Sequence, residues 1–178
     1  MFKLRNGLFI DASVQSIVDF YADAIVIPTS TVLDWQSDLT TMIGRRSGRS
    51  MFQKARSMAP IELGEALATT GGGLLSTFVI HAAIFPATEA GSGTQRADVL
   101  RSAVRNVLLR CGELGIENVG VPNLGGYLGL AVRDSARTML DAAASETPKA
   151  KGLREMHFVL DNEAELKAFN EAAEAFST

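Results

Sequence analysis

The residues best suited to chemistry lie in Val121-Pro122-Asn123-Leu124-Gly125-Gly126-Tyr127-Leu128-Gly129. The stretch follows an apolar strand pattern, Asn118–Val121, and precedes a helical pattern carrying Val132, Ala136, Met139, Leu140 and Ala143. In open α/β sheets, ligands bind beyond the carboxyl ends of strands. Glycines let backbone amides approach an anion, and the next helix adds free N–H groups and a positive dipole end. That chemistry suits a diphosphate; the same glycines would equally serve a turn that needs unusual φ values. The run is neither the spaced G-x-G-x-x-G fingerprint nor a P-loop, because no Gly-Lys-Ser/Thr follows.

Arg45, Arg46 and Arg49 form the one concentrated basic patch. Arginine can clamp phosphate through two parallel hydrogen bonds, although such a run is commonly a solvated helix face. His81 sits inside the apolar run Phe78–Ile84 and reads first as a structurally satisfied histidine. Asp11 ends a strand pattern and could cap the next helix or meet a ligand. Trp35 reads as a loop anchor or as a surface on which a base could stack. Glu62, Glu65 and the other acids show no paired spacing for a general acid and base, and no Gly-x-Ser-x-Gly elbow is present. Cys111 is the only cysteine and His81 and His157 are the only histidines, which argues against a disulfide, a cysteine zinc cluster or a histidine-rich centre. No metal and no cofactor is expected.

These groups need a scaffold. The 178 residues, 47% hydrophobic and 21% charged, suit a single domain over 1–178 with a packed core. The formal net charge of −3 argues against whole-surface attraction to nucleic acid, leaving only a local patch for that role. No apolar run reaches the ~20 residues that span a membrane. MFKLRNGLFID has neither the apolar core nor the cleavage pattern of a signal peptide, so a cytoplasmic protein without membrane contact is expected.

Phe2–Arg5 and Leu8–Asp11 flank Asn6-Gly7, the signal of an antiparallel hairpin. Val14, Ile17, Val18 and Tyr21 recur at helical spacing, with Ser13 as N-cap. Ala24–Ile27 is an apolar strand that Pro28 should end. Asp38–Met58 carries two apolar stripes, interrupted at Gly44–Arg49, and predicts two short helices with a break. Glu65–Thr70 and Thr77–Ile84 read as strands around Gly71-Gly72-Gly73, and Pro86–Gly93 as an exposed loop. Leu100, Val104, Val107, Leu108, Cys111 and Leu114 mark a long helix, capped by Thr94 and ended by Gly115. Glu155–Leu160 is a last strand, and Leu166, Phe169, Ala173 and Phe176 mark a terminal helix. Strands alternating with helices imply an α/β fold, a mixed sheet covered on both faces.

The order of segments resembles the macro domain family. Ala22-Asp23-Ala24-Ile25-Val26 resembles the family strand D-A-I-V-N-A-A-N. Gly64–Ala83 resembles its G-E-A…T-x-G…Y-V-I-H stretch, with His81 in the matching place. Asn118–Leu130 resembles the strand and loop A-x-P-x-I-S-T-G-x-Y-G. The resemblance covers nearly the whole chain. It implies a three-layer α/β/α sandwich that binds ADP-ribose or a related nucleotide; some family members hydrolyse ADP-ribosyl bonds. Carried over by position, Gly126, Tyr127, Leu128 and Gly129 would form the diphosphate loop with Gly125 beside it, although the loop is one residue short before Gly126. Asp11 could match the acid that meets the adenine amine, across a longer segment to Asp23 than the family has.

Two departures bear on function. Ile27-Pro28-Thr29-Ser30 stands where the family has N-A-A-N, so Ser30 replaces the asparagine that positions the distal ribose. Asp38–Gly48 replaces the family's glycine run. The resemblance therefore implies nucleotide binding with Thr29 and Ser30 near the distal ribose, and leaves open whether hydrolysis of an ADP-ribosyl or related phosphoester bond survives. The competing reading is a divergent macro-like scaffold acting through protein or nucleic-acid contacts.

Overall fold

The computed structural model describes residues 1–34, 37–86, 93–146 and 151–177, without the side chains of 93 and 94. Its strands are β1 (Phe2–Lys3), β2 (Phe9–Val14), β3 (Ala24–Ser30), β4 (Ala66–Thr70), β5 (Phe78–Phe85), β6 (Asn118–Val121) and β7 (Glu155–Leu160). The helices are α1 (Asp38–Ser47), α2 (Arg49–Arg56), α3 (Gly93–Leu114), α4 (Leu124–Tyr127), α5 (Val132–Glu146) and α6 (Glu163–Phe176). The strands form one seven-stranded sheet in the order β1-β2-β7-β6-β3-β5-β4. β2, β7, β6, β3 and β5 run parallel, and an antiparallel strand closes each edge.

Alternation along the strands divides the core in two. Ala24 and Val26 of β3 pack with Leu100 and Val104 of α3, Leu140 of α5 and Phe169 of α6. Ile25 and Ile27, on the opposite face, pack with Ile43 of α1, Met51 of α2 and Ile17. The result is the expected three-layer sandwich. All seven residues of β3 are buried, as a central strand covered on both faces must be. The hairpin around Asn6-Gly7 lies at one edge as expected, and the Asn6 side chain ties it to α5 through the Ala144 carbonyl at 2.6 Å.

Several local expectations are corrected. Val14–Tyr21 is not a helix: only Ile17–Asp19 makes a 3₁₀ turn, Val14 ends β2, and Tyr21 is exposed. Ser13 lies in β2 and caps nothing; its hydroxyl meets His157 Nε2 at 2.8 Å. Asp11 is also inside β2 rather than at its end, opposite His157, and caps no helix. Pro28 does not end β3. Pairing with β6 stops after Ile25, so the far half of β3 has an open side where a missing N–H costs no ladder bond.

The break between α1 and α2 is confined to Gly48, at φ 87°, and α1 continues through Gly44, Arg45 and Arg46. Ser37 starts α1 with a reciprocal cap, its Oγ accepting from the Thr40 amide at 3.2 Å while Thr40 Oγ1 accepts from the Ser37 amide at 3.1 Å. α3 begins at Gly93, so Thr94 lies within it and not at its cap. Trp35 and most of the Pro86–Gly93 loop, residues 87–92, fall outside the described residues.

His81 is fully buried in β5, 2.9 Å from the Thr69 hydroxyl. Burial penalises the charged ring and pushes its pKa down from 6.5 to about 3. The unfolded chain therefore takes up a proton at higher pH than the folded one. The stability contribution is complete above pH 6.5 and is lost as pH falls from there toward 3. The slope from this one group approaches about 1.4 kcal/mol per pH unit. Urea unfolding measured across that window should show a visibly flatter acid limb for His81→Asn than for the parent; equal slopes would mean that His81 protonates while folded.

Candidate functional site

The five parallel strands direct their carboxyl ends to one edge of the sheet, and two neighbouring clefts open there. The first, about 330 Å³, lies over the ends of β3 and β5. Thr29, Ser30 and Asp34 line it from the strand side, and Ser37 and Thr40 from the first turn of α1. Thr29 Oγ1 donates to the Ala82 carbonyl at 3.4 Å, and Ser30 Oγ donates to the Asp34 carboxylate. Among the described residues, no lysine or arginine lines this cleft.

The second cleft, about 360 Å³, lies over the ends of β2, β7 and β6. Leu39 and Met42 of α1, Pro122 and Leu160 supply apolar walls, while Ser16, Tyr127 and Asp161 supply the polar groups. The first half of α1 thus faces both clefts. Burial, with Asp161 and then Glu165 nearby, pushes the Tyr127 phenol up to about 12. Burial and then Glu165 raise the Asp161 carboxyl above the usual range.

Between these strands, β6 runs into the glycine segment, which forms the four-residue helix α4 rather than an irregular loop. Asn123 organises it. Its Oδ1 accepts from the Gly126 amide at 3.1 Å and from Ser135 Oγ at 2.5 Å; its Nδ2 donates to Glu165 Oε1 at 2.7 Å. Glu165 Oε2 accepts from the Asp161 amide at 3.2 Å. One carboxylate on α6 therefore fixes both the glycine turn and the end of β7. The amides of Gly126, Leu128 and Gly129 already bond within the turn, to Asn123, Gly125 and Gly126. A phosphate would engage these three amides only by exchange of those bonds.

The three glycines have different reasons. A Cβ on Gly125 would lie 2.1 Å from Ser135 Oγ and 2.9 Å from Leu100, so its smallness serves packing against α5 and α3. Gly129 has φ 71°, a backbone that glycine favours. Gly126 has neither constraint, and a Cβ would meet the Asn123 side chain at 3.0 Å. The Arg96 guanidinium lies 3.4 Å from the position of a Gly129 Cβ.

The structure thus brings Tyr127 to the second cleft and Thr29 and Ser30 to the first. Asp11 lines neither: it lies three residues before Val14, the end of β2, where Gln15 and Ser16 enter the second cleft instead. The acid at that cleft is Asp161, which sequence reasoning missed; its place directly after the last apolar strand was the available signal. Arg45 and Arg46 sit at the far end of α1 from the clefts and Arg49 opens α2 just beyond it, and Arg46 pairs with Asp19. Arg96, one of many helix-surface arginines in sequence, is the cation that reaches the glycine turn.

A mixed sheet between two helical layers, with paired clefts at the strand ends, defines an α/β/α sandwich. Residues 26–139 match the family model for the macro domain, and the chain belongs to that family. It is 32% identical over 149 residues to a macro domain-containing protein of Streptomyces nogalater, covering 79% of this chain and 78% of that one. It is 30% identical over 154 residues to an uncharacterized Mycobacterium tuberculosis protein, covering 86% of this chain but only 41% of the relative's length. Among solved structures, an Oceanobacillus iheyensis macrodomain with ADP superposes with TM-score 0.85 at 17% identity, over 98% of this chain and 95% of that one. A Trypanosoma brucei macrodomain in complex with ADP-ribose gives TM-score 0.78 at 21% identity, over 91% and 68%.

Replacing Glu165 by Ala would leave the buried Asn123 amide without its acceptor. Such an orphaned donor costs roughly 1–3 kcal/mol. The expected result in urea unfolding is a loss of that size for Glu165→Ala and a smaller loss for Glu165→Gln, which keeps an acceptor oxygen. No change in either would show that the bond to Asn123 does not hold the turn.

Proposed function

We propose that this domain binds ADP-ribose or a closely related phosphate-rich nucleotide along the carboxyl edge of the sheet. The observation that carries the reading is the glycine turn after β6, with Arg96 against it, beside two clefts of different character. The second cleft suits an adenosine. Leu39, Met42, Pro122 and Leu160 offer apolar contact to a base, and the Asp161 carboxylate can accept from an exocyclic amine. The first cleft suits a sugar. Its hydroxyl groups and the Asp34 carboxylate match ribose hydroxyls.

The diphosphate then lies on Gly125–Gly129, aided by the Arg96 guanidinium, a bidentate phosphate partner. That macrodomains of this fold have been solved with ADP and with ADP-ribose supports the assignment. It extends to a single domain over 1–178 working in the cytoplasm; no helix among the described residues is long and apolar enough to cross a membrane. Hydrolysis of ADP-ribosyl bonds at ordinary enzymatic rates is not part of the proposal. Ser30 is committed to Asp34, and no asparagine side chain lines the first cleft among the described residues to position a distal ribose.

Calorimetric titration with ADP-ribose, AMP, NAD and a short RNA tests the reading. ADP-ribose should bind most tightly and RNA not at all. Loss of a charge-assisted hydrogen bond costs about 1.5–3 kcal/mol, so Arg96→Ala should weaken ADP-ribose binding roughly tenfold or more and reduce its salt dependence. Arg45→Ala should leave the affinity unchanged. Gly126→Glu should abolish binding, because its carboxylate occupies and repels the phosphate position. Gly126 does not have positive φ, so circular dichroism and melting need only exclude displacement of Asn123. A folded Gly126→Glu that binds like the parent would move the phosphate elsewhere, and RNA binding without ADP-ribose binding would favour the scaffold reading.

Incubation with mono-ADP-ribosylated protein should leave the label in place. Release at ~1 per second or faster, an ordinary enzymatic rate, would show that the hydroxyls of the first cleft replace the family's asparagine in catalysis.

A further inference from the structure

We infer that Asp11, Glu155 and His157 form a binding site for one divalent transition-metal ion of the zinc class, clamping β2 to β7. Ile10 and Met156 point into the core beneath α3, α5 and α6. Strand alternation therefore turns Asp11, Glu155 and His157 to the opposite face. Asp11 lies directly across the ladder from His157, and Glu155 lies two residues before it. The Nδ1 of His157 is 3.9 Å from Asp11 Oδ2 and 3.7 Å from Glu155 Oε1, and one ligand atom of each of the three residues lies within 4.8 Å of the other two.

Those separations are too long for N–H···O hydrogen bonds, which run about 2.7–3.2 Å. They leave room for an ion among the three groups, since nitrogen and carboxylate ligands of zinc stand about 2.0–2.2 Å from the metal. The other ring nitrogen is engaged: Nε2 is 2.8 Å from Ser13 Oγ, which also accepts from Gln15 Nε2 at 2.5 Å. In the tautomer with Nε2–H donating to Ser13, the Nδ1 lone pair faces two carboxylates. A cation between them removes that repulsion. An outer partner that fixes ring orientation is the usual companion of a ligating histidine.

The Phe20 ring, with its centroid 4.7 Å from that of His157, limits ring movement from the other side. The Met1 amino group is 3.2 Å from Asp11 Oδ1, leaving Oδ2 as the oxygen turned to the imidazole. An imidazole nitrogen favours zinc, cobalt or nickel over magnesium or calcium, which take oxygen donors. Asp11 and Glu155 are about a third exposed, so water can complete the coordination. No metal is expected from the sequence; this donor set of one imidazole and two carboxylates comes together only across β2 and β7, strands far apart in the chain.

The test is titration of chelator-treated full chain with zinc(II) by calorimetry and with cobalt(II) by visible absorption. The expected result is one equivalent bound per chain, with an upward shift in melting temperature that saturates at the same equivalent. His157→Asn and Glu155→Gln should each weaken binding at least tenfold, the lower limit of what loss of an outer partner alone costs. Glu174→Gln, on the surface of α6, should bind as the parent does. Absence of saturable binding to the parent, or parent-like affinity in both ligand variants, overturns the site. Should His157→Asn fail to fold, Glu155→Gln, at a partly exposed position, decides alone. Saturable binding that Glu155→Gln leaves intact would place the ion elsewhere and overturn the site.

Discussion

Neighbouring strands that run in one direction cannot be joined by hairpins. Each must return across a face of the sheet, and five such strands here, β2, β7, β6, β3 and β5, are parallel neighbours. The crossovers supply the helical layers, so the strands must be apolar on both faces, as β3 and β5 are. The same constraint delivers every connection after these strands to one edge. Ser16, Ser30, Pro122 and Asp161 are far apart in the chain and share that edge because their strands point the same way. The clefts are thus a consequence of topology, and the side chains there decide what each cleft can hold.

At the middle of that edge, local chemistry takes over. The turn after β6 is built by one buried asparagine. Asn123 accepts from an amide of the turn and a hydroxyl of α5, and donates to a carboxylate of α6. Nearly all of its hydrogen-bonding capacity is used, which makes the network rigid and sensitive to loss of a member. Because Glu165 also holds the Asp161 amide, the acid in one cleft and the glycine turn are positioned by the same group. Gly125 is pressed between α3 and α5, so the turn is anchored by packing as well as by hydrogen bonds.

Charge is distributed less simply than a count of arginines suggests. Arg45 and Arg46 lie at the C-terminal end of a ten-residue helix, and Arg49 follows it; its opposite end faces the clefts. Basic residues there complement the helix dipole, a local role that needs no ligand. Arg96 is isolated in sequence but lies against the glycine turn because α3 returns beside it. Asp11 and Asp161 form a similar pair. The first is held inside β2 beside His157, and the second stands at the mouth of a cleft.

By itself the sequence determined the elements with strong periodicity. β6, β7 and the long helix over Leu100–Leu114 follow from apolar spacing, and the family resemblance rests on their order. It also put Thr29, Ser30 and Tyr127 among the candidate residues, and each lines a cleft at the carboxyl edge of the sheet. It misread Val14–Tyr21 as a helix because four apolar residues at helical spacing include a strand end, a 3₁₀ turn and an exposed tyrosine. It ended β3 at Pro28 because a missing N–H is harmful only where a neighbouring strand needs it, and that depends on where β6 stops. Which arginine reaches the glycine turn, which acid faces a cleft, and which carboxylates meet His157 were decided only by tertiary structure. Apart from Glu155, two residues before His157 on the same strand, each is a contact between residues tens of positions apart, set by strand register and helix packing rather than by spacing along the chain.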